Sequence, residues 1–309
     1  MMKRAATILI LAASLTGCMT TTADPNKINL IMGGGGVRLS AYVGALAAFR
    51  DMGVTFGAVA GASAGSIVGS LVAAGWTVDR IYAKLLDTDF AAFKDIALWG
   101  LLLEGGIYSG NAFEAWVDEQ VQGARFRDLP HDLFVISVDL IGHRPVFFSR
   151  ATTPDLAVSR AVRCSMAIPW VWRPLRSEGR LLADGQLLPW IPAGLEMLQA
   201  SPSAEGANRT MMLRLASRKA KDIPDKRILW PWDFAKILLD TMLTALENQR
   251  VPGPLWQDTI LIQADRVHTL QLSISREDKE YLFQCGYDQA KRYFHKERPT
   301  PDTPSTTRG

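Results

Sequence analysis

The chain has 309 residues, 48% of them hydrophobic and 21% charged, with a formal net charge of +3. That length and balance suit one sizeable globular α/β unit with a large core and exclude a disordered or fibrous chain. So mild a charge, with no lysine-rich block and no internal repeat, argues against nucleic-acid binding and against a solenoid.

Met1-Met2-Lys3-Arg4 is a short positive opening, followed by an apolar run from Ala6 to Leu15 that is too short to span a bilayer. The run ends in Leu15-Thr16-Gly17-Cys18, which resembles a bacterial lipobox and so implies cleavage before Cys18 and lipidation of its thiol. Met19 beside that cysteine implies, by the Gram-negative sorting pattern, the outer membrane. An ordinary cleaved signal without lipid is the alternative. Residues 1–17 are thus expected to be a signal peptide and 18–27 a polar tether. No later segment is long and apolar enough to cross a membrane, so the expected anchor is lipid and the expected place the bacterial cell envelope.

Next comes a buried strand over 28–32, which runs into Gly33-Gly34-Gly35-Gly36-Val37-Arg38 and then a helix from Ser40 to Met52. Successive glycines bring no core packing; they let main-chain N–H groups approach a bound group. A dinucleotide fingerprint fails at Leu39, and a Walker loop fails for want of Gly-Lys-Ser/Thr. An oxyanion hole is the better use of these donors. A strand over 55–60 then meets Gly61-Ala62-Ser63-Ala64-Gly65 and a helix of small residues from Ala64 to Ala74. Strand, elbow, helix is the setting of a GxSxG nucleophile, and it makes Ser63 the leading candidate. Taken alone, the same five residues also suit a close-packed, inert helix.

Further strands are expected at 133–140, 145–149, 171–175, 180–183, 210–216 and 258–264. Helices are expected at Thr77 to Leu86, Asn111 to Val121, Pro154 to Met166, Pro192 to Gln199, Trp232 to Asn248 and Arg276 to Lys296. Residues 201–208 and 218–226 read as loops. This alternation argues for a three-layer sheet with helices on both faces. Leu181-Leu182-Ala183-Asp184-Gly185 delivers a carboxylate at a strand end, where it can act as a base or cap the turn. An aspartate in water has a pKa of about 4, so a base there needs burial, which Leu181, Leu182, Leu187, Leu188 and Trp190 supply. Trp99-Gly100-Leu101-Leu102-Leu103 and Trp230-Pro231-Trp232 suit either an interfacial contact or a cap over the core. With Cys18 assigned to lipid, Cys164 and Cys285 lie in helical patterns and are expected to be buried free thiols. No cluster has metal-ligand spacing, so neither metal nor cofactor is expected.

Taken in order, Gly34-Gly35-Gly36-Val37-Arg38, Gly61 to Gly65 and Asp184-Gly185 resemble the patatin-like phospholipase family, whose members carry a GGGxRG loop, a GxSxG elbow and an Asp-Gly pair. Gly44 and Arg163-Cys164-Ser165-Met166-Ala167-Ile168-Pro169, similar to the family's Ala-Ser-x-Ala-x-Pro segment, extend the likeness. Ser273 to Gly286 resembles a C-terminal helix of bacterial relatives. The likeness runs from about Ile28 to Leu195. Leu39 stands where the family usually has glycine, and Gln186 where it usually has glycine or alanine.

The resemblance implies a three-layer α/β/α fold with a mainly parallel sheet, a catalytic domain over 28–200 and a C-terminal part over 201–297 packed on it; the Pro/Thr-rich composition of 298–309 predicts a disordered tail. It implies a serine acyl hydrolase that cleaves phospholipid or related acyl esters through Ser63 and Asp184. Donors to the oxyanion would come from Gly34, Gly35, Gly36, Val37 and Ala64, with Gly61, Gly65, Gly185 and Arg38 supporting the motifs. Arg38 reads as structural rather than catalytic. The chain order Ser63, Asp184, His268 is also that of α/β-hydrolases, but those place the nucleophile after several strands, whereas one strand precedes the glycine loop here. An acyltransferase or broad esterase, and a catalytically silent lipid-binding envelope lipoprotein, are the alternatives.

Overall fold

The computed structural model describes residues 23–97, 104–216, 251 and 253–297, with isolated positions 234, 237, 238, 241, 242 and 244. The signal peptide and Cys18, most of the tether, the two tryptophan-containing segments, the 218–226 loop, most of the 232–248 helix and the tail from 298 lie outside the described residues.

Five strands form the parallel part of an eight-stranded sheet or border it: β1 (Asp24–Met32), β2 (Thr55–Ala62), β4 (Leu133–Asp139), β9 (Ala207–Ala216) and β10 (Thr259–Gln263). Their order is β10-β9-β1-β2-β4, with every neighbour in that run parallel. Beyond β4 the direction reverses: β5 (Arg144–Phe148), β7 (Leu175–Ser177) and β8 (Arg180–Asp184) add antiparallel pairs. Alternate side chains of the parallel strands enter different cores. Leu30, Met32, Val59, Val135 and Leu213 belong to one cluster, while Ile31, Ala58, Ala60, Phe134, Ile136 and Met212 belong to the other. Burial on both faces is why these strands read as continuous apolar runs rather than as a polar-apolar alternation.

The larger cluster is covered by α1 (Ser40–Asp51), α2 (Ala64–Ala73), α3 (Val78–Asp87), α4 (Asn111–Gln120), α5 (Val158–Ser165) and α8 (Arg276–Glu297). The smaller lies under α6 (Ile191–Gln199) and α7 (Gly253–Gln257). This is the α/β/α sandwich expected. The two long helices α1 and α8 touch backbone to backbone: a Cβ at Gly44 would lie 1.9 Å from the Phe283 carbonyl oxygen, and one at Gly286 would lie 1.8 Å from that of Ala41.

Two sequence expectations are corrected. The strand expected over 171–175 is two strands in different sheets, β6 (Trp170–Trp172), paired with β3 (Gly106–Tyr108), and β7. Pro174 has no N–H to give to a ladder, so pairing breaks there. The helix expected from Pro154 begins only at Val158, because Ala157 is extended and bridges Arg125. β3 itself was not anticipated; three residues beside glycines carry too little periodicity.

Strand β4 positions the site. β5 occupies one of its edges over residues 135–139. On the other edge, β2 pairs as far as Ala62 opposite Ile136, and β8 arrives from the opposite direction with Asp184 against Ser137. Two strands therefore abut end to end on consecutive residues of β4. The residue after Ala62 is Ser63.

Candidate active site

Ser63 sits in the turn from β2 to α2 with φ 49° and ψ −122°, a left-handed backbone that a side chain adopts only under constraint. The constraint is visible. Ser63 N–H donates to Ser165 Oγ at 2.9 Å, and Ser165 Oγ donates in turn to the Ile136 carbonyl. That carbonyl belongs to the last β4 residue paired with β2. On the other side of the turn, Ser66 N–H and Ser66 Oγ both donate to the Ser63 carbonyl, at 2.9 and 2.7 Å, and start the helix. The helix packs tightly under the glycine loop, where Gly65 N–H donates to the Gly33 carbonyl at 3.1 Å. A Cβ at Gly61 would meet the Gly65 backbone at 2.4 Å, and one at Gly65 would meet the Met32 carbonyl oxygen at 2.2 Å. Both elbow glycines are therefore needed for close approach.

Asp184 is brought beside Ser63 by the abutting strands and is 2% exposed. Its N–H donates to the Ala167 carbonyl at 3.0 Å, and its Oδ1 accepts from Gln186 N–H at 2.8 Å. Burial pushes its carboxyl up to about 6, against the partial relief given by the nearby Ser63 hydroxyl and the Gln186 N–H. Oδ2 has no fully formed hydrogen bond. A buried carboxylate oxygen left open beside a serine hydroxyl is an available proton acceptor. Gly185 lies so close to β4 that a Cβ there would stand 2.1 Å from the Ile136 carbonyl oxygen.

The glycine loop is pinned from several directions. Tyr42 Oη donates to the Gly33 and Gly34 carbonyls at 2.9 and 3.0 Å, and the buried Arg38 Nε donates to the Gly35 carbonyl at 3.1 Å. Arg38 thus braces its own loop. Of the five expected oxyanion donors, two are engaged elsewhere. Gly34 N–H donates to Gln186 Oε1 at 3.0 Å, and Val37 N–H donates to the Thr269 carbonyl at 3.1 Å. Among the described residues, the N–H groups of Gly35, Gly36 and Ala64 have no protein acceptor. Gly36 and Ala64 line the same cleft as Ser63.

That cleft is apolar. Ile67, Phe90, Phe113, Trp116, Ile168 and Leu272 are among its walls, and among the described residues no charged side chain lines it. Four of the aromatic rings form a cluster, with Phe93 edge-on to Phe113 at 5.3 Å and Trp116 beside both. All four histidines are exposed and none lines the cleft. Cys164 is buried and Cys285 half-buried, both as free thiols.

The patatin-like phospholipase profile matches residues 30–195, more than half of the chain. The chain belongs to the patatin-like phospholipase family. The chain is similar to NTE family protein Mb1092c of Mycobacterium bovis, 30% identical over 176 residues that cover 54% of this chain and 44% of that protein. Protein R571 of Acanthamoeba polyphaga mimivirus is 24% identical over 305 residues, 89% of this chain and 98% of that one. Among solved structures, VipD from Legionella pneumophila has the same fold, with a TM-score of 0.53 at 16% identity over 89% of this chain and 68% of VipD.

Two residues of this patatin-like site carry contacts that sequence reasoning did not assign. Ser165, inside the segment similar to the family's Ala-Ser-x-Ala-x-Pro motif, ties the Ser63 backbone to β4. Gln186, read from sequence only as an alteration of the pocket rim, reaches the glycine loop. Glutamine in place of a small residue was the signal, but its partner lies too far away in the chain to be inferred.

Proposed function

We propose that this chain is a serine acyl hydrolase acting on phospholipid or related acyl esters through a Ser63–Asp184 dyad. The observation that carries the reading is the open, buried Oδ2 of Asp184 beside Ser63 at an apolar cleft. Ser63 Oγ attacks the ester carbonyl carbon while its proton passes to Asp184, and the acyl chain lies against the aromatic wall. The electron pair of the carbonyl π bond moves onto oxygen, where the N–H groups of Gly36 and Ala64, with Gly35 behind them, stabilise it; one such donor contributes about 3 kcal/mol. Collapse of that intermediate expels the alcohol, which takes the proton from Asp184. Water then adds to the acyl-enzyme, again giving up a proton to Asp184, and the fatty acid leaves as the Ser63 hydroxyl is restored. An added alcohol in place of water would give transfer rather than hydrolysis.

We further propose, from the lipobox-like Leu15-Thr16-Gly17-Cys18 and Met19, that the mature chain is held at the outer membrane of a bacterial envelope through lipid on Cys18. Incorporation of labelled palmitate that disappears in Cys18→Ser tests that anchor.

The dyad is tested by labelling the purified chain with a fluorophosphonate probe. Labelling lost in both Ser63→Ala and Asp184→Asn supports it; equal labelling of Ser63→Ala and the unaltered chain overturns it. Product analysis on mixed phospholipids, with and without added alcohol, separates hydrolysis from transfer.

A further inference from the structure

A second cleft, of about 590 Å³, lies on the other side of the segment that walls the Ser63 site. Met166, Ile168 and Trp172 face the apolar cleft, whereas Pro169, Trp170 and Arg173 line the second one. The two share no lining residue among those described. The character of the second is opposite: Arg160, Arg163, Arg173 and Arg176 line it, against the single carboxylate of Glu104.

Two of those arginines have their charge matched. Arg160 pairs with Glu114 at 2.9 Å and Arg173 with Glu104 at 2.6 Å. The other two do not. Arg176 is exposed and has no ion-pair partner among the described residues. Arg163 is 1% exposed, and although its Nη2 donates to the carbonyls of Ser109 and Arg173, its Nε and Nη1 have no hydrogen-bond partner. A buried guanidinium with open N–H groups is costly unless an anion completes it. Burial accordingly pulls its pKa down to about 10, against the opposite pull of Cys164, Glu114 and Asp95, while Arg173 adds like-charge repulsion.

Gly110, outside the lining of the cleft, packs against the guanidinium so closely that a Cβ there would stand 2.1 Å from Nε, so the arginine is held in place by backbone. Trp170 is held at φ 68°, an outlier for so bulky a residue, and its partly exposed side chain lines the cleft beside Pro174 and Leu181. The lining thus combines cationic side chains with apolar ones. Planar guanidinium donors bind phosphate oxygens in pairs, which makes arginine clusters phosphate sites.

We propose that this cleft binds a phosphate group, carried by a phosphate ester or by the headgroup of an anionic lipid. This holds whether or not Ser63 turns over esters, so it does not depend on the proposed activity.

The test uses the full chain with Ser63→Ala, so that no lipid is consumed. Inorganic phosphate is titrated by calorimetry, and vesicles of phosphatidylcholine with and without phosphatidate are co-sedimented with the protein. Each measurement is repeated with Arg173→Ala and Arg176→Ala added. Neither side chain is buried, so this variant should fold; Arg163→Ala, which also frees two carbonyls, is a weaker test. One phosphate per chain, weakened at least tenfold in the double variant and displaced by sulfate but not by chloride, supports a site for free phosphate groups. Phosphatidate-dependent sedimentation lost in the double variant, with no binding of inorganic phosphate, supports the lipid headgroup as the source. Binding of either ligand that is equal in the two chains, or no saturable binding of both, overturns the proposal.

Discussion

Gly34 and Gln186, 152 positions apart in the chain, are joined by a hydrogen bond of 3.0 Å from the Gly34 N–H to Gln186 Oε1. Gln186 also gives its own N–H to Asp184 Oδ1, so one residue holds the glycine loop with its side chain and the carboxyl with its backbone. Losing one neutral hydrogen bond changes an equilibrium by about 1 kcal/mol, roughly fivefold. Gln186→Leu is therefore expected to lower kcat on a chromogenic ester about fivefold with KM unchanged. Gln186→Glu keeps an acceptor for Gly34 and should retain loop geometry, while its added negative charge moves the acid limb of the rate profile to higher pH. A Gln186→Leu chain as fast as the unaltered one would remove Gln186 from this role.

The pH dependence follows from Asp184. As the proton acceptor it must be ionised, so kcat/KM is expected to fall as pH drops through about 6, the value to which burial pushes its carboxyl. Stability runs the other way. Between the ordinary aspartate value of 3.8 and about 6, the folded chain holds a proton that the unfolded chain has released, so stability falls as pH rises through that window and stays lower above it. At about 1.4 kcal/mol per decade of proton affinity, the difference approaches 3 kcal/mol. Asp184→Asn should thus lower activity about a thousandfold or more and yet melt higher than the unaltered chain at pH 7. Thermal unfolding of both chains at pH 4 and pH 7 checks it: the gap between them should widen at the higher pH.

Substitution of the loop and elbow glycines separates crowding from chemistry. At Gly36, φ is 57° and a Cβ would stand 1.9 Å from the Thr269 carbonyl oxygen, a rigid backbone atom. Gly36→Ala is expected to destabilise the fold by about 1–3 kcal/mol and to abolish fluorophosphonate labelling. Gly35→Ala meets only the Leu215 side chain, at 2.2 Å from Cδ1, which can rotate, so its stability loss should be smaller. Gly253→Ala meets nothing within 4 Å and serves as the silent control. Melting temperatures of the three variants give the order directly.

The aromatic wall should set acyl preference. Trp116 is partly buried beside Phe93 and Phe113, so Trp116→Ala opens the cleft without removing a fully buried ring. The expected outcome is a rise in kcat/KM for long-chain relative to short-chain p-nitrophenyl esters, by about fivefold or more, in line with the roughly 1–3 kcal/mol worth of one methylene in an apolar pocket. An unchanged ratio would mean that the acyl chain lies elsewhere.

Much of this molecule is legible in its sequence where the signal is local. The glycine run after the first strand, the elbow around Ser63 and the Asp184-Gly185 strand end are each set by contacts within a few residues, and the structure has strands and turns at each. Long apolar strands were equally plain, because burial on both faces leaves no polar alternation to misread. The late start of α5 was not, since Ala157 bridges Arg125, and at Pro174, where the missing N–H breaks pairing, it was the different partners of β6 and β7 that no local pattern shows.

The sequence by itself determined that a serine stands in a strand-to-helix turn, that glycine N–H groups gather after β1, and that an aspartate ends a strand, since turn geometry and side-chain pattern are local properties. The tertiary structure decided that β2 and β8 end on adjacent residues of β4, which is what sets Ser63 beside Asp184. It also decided that Gln186 takes the Gly34 N–H, and that four arginines line one cleft. Strand register joins Ser63 to Asp184, and packing joins Gly34 to Gln186 and turns the four arginines toward one cleft, and no local pattern encodes which residues will meet.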